Sequence, residues 1–179
     1  MSIFLLALGR KGGLYMCANA CCFTGHRTIP KEKFDSIAIK TEIKIRELIS
    51  AFGVCDFYVG GALGYDTLAA QILFRLRGTE FPHIKVILIY PFEGFTDGWT
   101  NEQKMIYTQM FNAFDDHICA SPAPGAASYL ARDRQLAERS MFCICCCARK
   151  TGGTAYTVRY AKKKGLQIYN ILDFDIGQL

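Results

Sequence analysis

Short apolar runs alternate along this chain with longer stretches in which apolar residues return every three or four positions. Asn19 to Thr24 reads as a short buried strand. Phe34, Ile37, Thr41, Ile45, Leu48 and Phe52 then fall on one face of a helix. Pro30 suits its first turn and Gly53 its end. Asp56 to Val59 predicts the next strand and Asp66 to Arg77 the next helix. Ile84 to Ile89 is a branched aliphatic run interrupted only by Lys85, the mark of a strand covered on both faces. Tyr90 to Phe95 is loop, Thr100 to Phe114 helix, Asp116 to Cys119 strand and Ser121 to Gly125 loop. Ala126 to Arg139 is at least partly helical. Met141 to Cys147, Thr154 to Lys164 and Leu166 to Ile171 follow as strand, helix, strand. Strict alternation of this kind predicts an α/β fold with a mainly parallel sheet. Right-handed crossovers then make it a Rossmann-like three-layer sandwich.

Three glycine-bearing segments stand where a predicted strand hands over to a helix. They are Thr24-Gly25-His26-Arg27, Gly60-Gly61-Ala62-Leu63-Gly64-Tyr65-Asp66 and Thr151-Gly152-Gly153-Thr154. In a parallel sheet all such turns lie at the carboxyl edge, where ligands bind. Glycine lets backbone N–H groups approach an anion, and the helix behind adds its positive dipole end. With arginines nearby, the three turns point to a phosphate-bearing ligand.

Each turn has a chemical reading and a plainer one. The Gly60–Gly64 segment lacks the three-glycine spacing of a dinucleotide fingerprint, no acid follows about 20 residues on in a matching βαβ unit, and the chain has no Walker lysine and hydroxyl pair. Asp66 either stabilises the start of its helix or meets a ribose hydroxyl or a water. Gly152, Gly153 and Thr154 offer consecutive N–H groups and a hydroxyl at a helix N-terminus, or a simple cap. Arg132 and Arg134, just ahead of the preceding strand, strengthen the phosphate reading, since a guanidinium fork suits that group. Thr24, Gly25, His26 and Arg27 put polar groups at the end of the first strand, where His26 is either a hydrogen-bonding partner or an acid–base group. His83 and His117 read as structural. Trp99 follows a loop with two glycines and either covers the pocket or packs. Spacing assembles no nucleophile triad, and no pattern calls for a cofactor.

Composition narrows the setting. With 179 residues, 51% of them hydrophobic, one well-filled domain is the simplest reading. The net charge of +5 is compatible with an anionic ligand and too small for a nucleic-acid signature by itself. Four of the nine cysteines form the run Cys143, Cys145, Cys146 and Cys147. On a strand Cys146 points away from the other three, and residues two apart stand roughly 6.6 Å apart, too far to share a zinc. They read as small buried apolar residues, with no metal, in a cytoplasmic protein. Residues 1–16 read as an N-terminal extension outside the fold, and 17–179 as the single domain. The apolar stretch from Ser2 to Leu8 is too short for a membrane span.

Taken together, the three turns, Leu68-Ala69-Ala70 after the second, Arg132-Asp133-Arg134, and Tyr160-Ala161 after the third resemble the YpsA-like bacterial proteins. These belong to the SLOG superfamily, which also groups the DNA-processing protein A and Lonely-guy families. The resemblance covers about residues 19–172. It implies a nucleotide-type pocket formed by Thr24, Gly25, His26, Arg27, Gly60, Gly61, Gly64, Asp66, Arg132, Arg134, Gly152, Gly153 and Thr154. Two departures stand out. Lonely-guy enzymes cleave ribose phosphate from a nucleoside monophosphate and carry a glutamate three residues after the glycine-threonine turn. Here that place is Thr157. DNA-processing protein A has Arg-Asn-Arg where this chain has Asp133 between its arginines, an added negative charge unfavourable beside DNA.

The leading expectation is therefore a sensor or regulatory module that binds a nucleotide or nucleotide derivative, and a homo-oligomer is compatible with it. An alternative is N-glycosidic hydrolysis of a nucleotide, with Asp66 or Glu93 replacing the absent glutamate. A second alternative, less favoured, is single-stranded DNA binding. There Lys162, Lys163, Lys164, Arg132 and Arg134 would supply charge, and Tyr129 or Tyr156 would stack a base.

Overall fold

The computed structural model describes residues 19–179, so the expected extension over residues 1–16 lies outside the described residues. Six strands alternate with five helices. They are β1 (Ala20–Gly25), α1 (Phe34–Phe52), β2 (Asp56–Val59), α2 (Tyr65–Thr79), β3 (Lys85–Tyr90), α3 (Asn101–Phe111), β4 (Asp116–Cys119), α4 (Ala126–Glu138), β5 (Phe142–Cys146), α5 (Gly153–Lys163) and β6 (Gln167–Asn170). All strand pairs are parallel, in the order β4-β3-β2-β1-β5-β6. This is the expected α/β Rossmann-like arrangement.

The order decides where a ligand can sit. From β1 the chain steps outward through β2, β3 and β4, then returns to place β5 on the other side of β1. The connections from β1 and β5 therefore diverge to opposite faces, opening a crevice at the strands' carboxyl ends. Thr24 pairs with Cys145 and Gly25 with Cys146, so the turns after β1 and β5 leave the sheet side by side.

Two apolar layers hold the sheet. On one face Ile37, Ile45 and Leu48 of α1 and Leu68, Leu73 and Leu76 of α2 pack on Phe23, Phe57 and Val86. On the other, Leu136 and Ala137 of α4 and Ala155, Val158 and Ala161 of α5 pack on Cys22, Cys143 and Cys145. Each large aliphatic side chain fully removed from water contributes roughly 1.5–3 kcal/mol. Strand alternation puts Cys146 on the first face and Cys143 and Cys145 on the second.

Two boundaries differ from expectation for packing reasons. Helix α3 starts at a capping box between Thr100 and Gln103 and stops at Phe111 rather than Phe114. Phe114 leaves the helix, is buried, and meets Phe74 edge-on at 5.0 Å between centroids. Strand β5 ends at Cys146, because the side chain of Asn170 takes over the backbone of Cys147, accepting from its N–H (3.0 Å) and donating to its carbonyl (2.9 Å).

Candidate functional site

The crevice predicted by strand order holds a cavity of about 320 Å³. Its lining includes Thr24, Arg27, Asp66, Arg132, Gly153 and Thr154, brought from β1, α2, α4 and α5. Gly25 and His26 line it too, as do Tyr129, expected only as a base-stacking residue, and the polar Asp133 and Thr157, not assigned to the site from sequence. Of the expected residues, Gly60, Gly61, Gly64, Arg134 and Gly152 are not on its wall. Arg134 is exposed at its head and donates from Nε to the Tyr156 hydroxyl (2.8 Å).

The end of α5 is the feature that fits an anion. Its N-cap is Gly152, with φ +95°, and no side chain caps the helix. No acid lies in its first turn. The first N–H groups of the helix, which have no intrahelical acceptor, therefore keep their positive potential. Thr154 is buried beside them at the cavity wall. The loop feeding this turn is pinned from two sides. Asn170 holds Cys147, and His26 Nε2 accepts from the N–H of Ala148 (3.0 Å). A histidine accepting at Nε2 carries its proton on Nδ1, and burial, followed by the charge of Arg149, lowers its pKa below the ordinary value. His26 is thus a neutral strut between the first and third turns, with the nitrogen that would act as base already occupied.

Below this anion site lies a charged triad. Arg132 Nη1 donates to the Gly60 carbonyl (2.7 Å) and stands 3.5 Å from Asp66 Oδ2. Its Nε is 2.9 Å from Asp133 Oδ1. That N–H is not directed along the contact and has no hydrogen-bond partner among the described residues, so charge rather than an aligned hydrogen bond joins the pair. All three residues are buried. Burial pushes the Asp66 carboxyl up to about 6, against the opposing pull of Arg132 and the N–H of Ala62. Burial also raises Asp133, while Arg132 and the neighbouring Thr157 hydroxyl pull it down. Two carboxylates around one guanidinium leave an excess negative charge, and the Asp133 charge adds to burial in raising Asp66. Arg132 therefore neutralises the protein's own acids, and Arg27 is the cationic side chain at the cavity without an ion pair among the described residues. Its guanidinium lies 5.8 Å from the centroid of the Tyr129 ring.

The second glycine turn has another job. A Cβ on Gly60 would sit 2.7 Å from Asp66 Oδ2 and closer still to Arg132 Nη1. One on Gly64, with φ +79°, would lie 2.5 Å from the Arg27 carbonyl carbon. These glycines let the triad and the β1–α1 loop close over the turn. Asp66 places its own carboxylate in the first turn of α2 and accepts from the N–H of Ala62 in the turn before it (3.2 Å). Glu93 accepts a hydrogen bond from the Tyr90 hydroxyl and does not line the cavity, so Asp133 stands there in its place as the second acid. Asp133 is also turned inward, so it adds no charge to a surface that would meet DNA. Trp99 packs edge-on against Phe95 and Tyr107, beside the cavity rather than over it.

The model of the YspA SLOG family, YpsA, matches residues 22–176. The chain belongs to this SLOG family. It is 30% identical over 131 residues to the SPbeta prophage-derived protein YoqJ of Bacillus subtilis, covering 66% of this chain and 76% of that protein. It is 28% identical over 118 residues to a UPF0398 protein of Halalkalibacterium halodurans, covering 64% of this chain and 62% of the relative. Among solved structures it is similar to DNA processing protein A from Helicobacter pylori, described for its single-stranded DNA binding mode, and from Streptococcus pneumoniae. The TM-scores are 0.57 and 0.60, each at 18% identity. The alignments cover 84% and 88% of this SLOG chain but 63% and 53% of those proteins. At that identity the likeness shows the shared fold. No described helix is long and apolar enough to cross a membrane.

Proposed function

We propose that this SLOG protein binds a nucleotide or nucleotide derivative in the β1–β5 crevice and works as a sensor or regulatory module. The observation that carries the reading is the uncapped, acid-free N-terminus of α5 opening with Thr154 onto a cavity of about 320 Å³. Such an end suits a phosphate, and the volume lies within the range of small-molecule sites. In this reading the α5 turn and Thr154 take the phosphate, and Arg27 balances its charge. Asp66 and Asp133 accept from sugar hydroxyls, and Tyr129 offers a face to the base.

Calorimetry with adenosine 5′-monophosphate and the corresponding guanine, uracil and cytosine nucleotides tests it, using Gly153→Asp as control. A Cβ at Gly153 meets nothing within 4 Å, and its φ is not positive, so the substitution leaves the fold in place. It sets a carboxylate where the phosphate would bind. Binding by the wild type and loss in the variant is the expected result. Failure of all four to bind, or binding indifferent to the substitution, removes the proposal.

One observation favours a second reading, N-glycosidic hydrolysis: two buried acids with raised pKa share the same cavity. A carboxyl near 6 can exchange a proton at neutral pH. Release of free base from a nucleoside monophosphate, abolished by Asp66→Asn, supports it. Absence of release at high protein concentration ends it.

A further inference from the structure

A second cavity, of about 310 Å³, lies on the other side of the β1–α1 loop and shares His26 and Arg27 with the first. Its other polar walls are Thr28, Lys33 and Arg149, set against the apolar Ile37 and Leu172. No carboxylate lines it, and Arg27, Lys33 and Arg149 have no ion pair among the described residues. Glu32 and Asp173 line only the adjoining hollow. The first cavity therefore buries two acids, whose charge Arg27 feels, whereas Lys33 and Arg149 of its neighbour face no acid in that cavity's wall. A concave site with convergent cations favours an anionic group that leaves water. The uncompensated charge is already felt within the wall, where Arg149 disfavours protonation of His26.

We propose that this second cavity is an anion subsite for the far end of a two-part phosphate ester whose nucleotide end lies in the first cavity. The inference rests on the nucleotide reading above and extends it to the class of ligand. Arg27, common to both cavities, sits where the linking phosphates would pass. Lys33 and Arg149 hold the distal phosphate or its anionic substituent. Two joined halves bind more tightly than one because the second contact is made at high effective concentration.

The test is calorimetry with adenosine 5′-monophosphate and with P1,P4-di(adenosine-5′) tetraphosphate, whose chain is long enough to leave a distal phosphate for Lys33 and Arg149, on the wild type and on Lys33→Ala/Arg149→Ala. Both substituted residues are exposed and make no side-chain hydrogen bond among the described residues, so the fold is retained. The wild type should bind the two-part compound at least about tenfold more tightly than the monophosphate. In the double variant that advantage should fall to within about twofold, with monophosphate affinity unchanged. If the monophosphate binds but the two-part compound binds no better, or if the advantage survives the substitutions, this inference is overturned and the nucleotide reading stands. If neither binds, the nucleotide reading falls and the two-part ligand falls with it. Titration with inorganic pyrophosphate then decides the cationic cavity alone: binding abolished in the double variant supports an anion subsite, and no binding by the wild type rejects it.

Discussion

The turns after β2 and β5 carry the same sequence signature, paired glycines between a strand and a helix, and do opposite things. After β2 the glycines are filled by neighbours. Gly60 lies against Arg132 and Asp66, Gly64 lies under the His26–Arg27 backbone, and Asp66 places its carboxylate in the first turn of its own helix. After β5 neither Gly152 nor Gly153 has an atom within 4 Å of where a Cβ would be, and the helix start has neither cap nor acid. A glycine pair can admit either another part of the protein or a ligand. Only what stands opposite decides which.

The sharpest way to break this contrast is to give each turn a side chain. Gly60→Ala should destabilise the protein by about 3 kcal/mol, because its Cβ would drive apart two buried charged groups that cannot move into water. Urea denaturation measures it, and a change under about 1 kcal/mol would show that the turn is as open as its counterpart. Gly153→Asp should behave in the reverse sense. Its stability should be unchanged or raised by up to about 1 kcal/mol, since an acid suits a helix start. Its affinity for adenosine 5′-monophosphate should fall about a hundredfold, equivalent to about 2.7 kcal/mol.

Proton linkage separates the two turns next. The Asp66 carboxyl is pushed up to about 6 in the folded chain from an ordinary 3.8, so the folded state holds its proton longer than the unfolded one. The contribution is present below about pH 4 and is lost as pH rises towards 6, at up to about 1.4 kcal/mol per pH unit. Denaturation at pH 4 and pH 6 should show this decline in the wild type and a shallower one in Asp66→Asn. The residual slope belongs to Asp133 and Asp56, which are shifted in the same direction. Gly153→Asp should keep the wild-type slope. The smallest effect is expected in the strand beneath the open turn. Cys145→Ala should cost about 1 kcal/mol and leave nucleotide affinity within about twofold, since Cys145 is a buried packing residue whose thiol burial holds in the neutral form.

The periodicities were enough for the strand–helix succession, and each observed element lies within a few residues of its expected place. They worked because the central strands β1 and β5 are buried on both faces and so are apolar almost throughout, while α1 returns Ile37, Thr41, Ile45 and Leu48 to one buried face, although Ile39 and Ile43 stay exposed. The site was legible where its residues sit beside a strand end. Thr24, Arg27, Asp66, Gly153 and Thr154 share one cavity because all strands run the same way. Arg134 was misplaced by the same logic. It stands two residues from Arg132, and helical residues two apart point about 200° from each other, so Arg132 turns inward and Arg134 to the surface.

What the sequence by itself determined is therefore the order of elements, the parallel sheet and the edge at which a ligand would bind. These depend on local periodicity and on connection rules that hold for any chain of this pattern. Only the tertiary structure decided that Asp133 joins Asp66 around one arginine, that His26 is a strut, and that a second, cation-lined cavity adjoins the first. Those facts depend on which side chains from distant segments meet and on how much water their meeting excludes. Neither quantity is written in the spacing of residues along the chain.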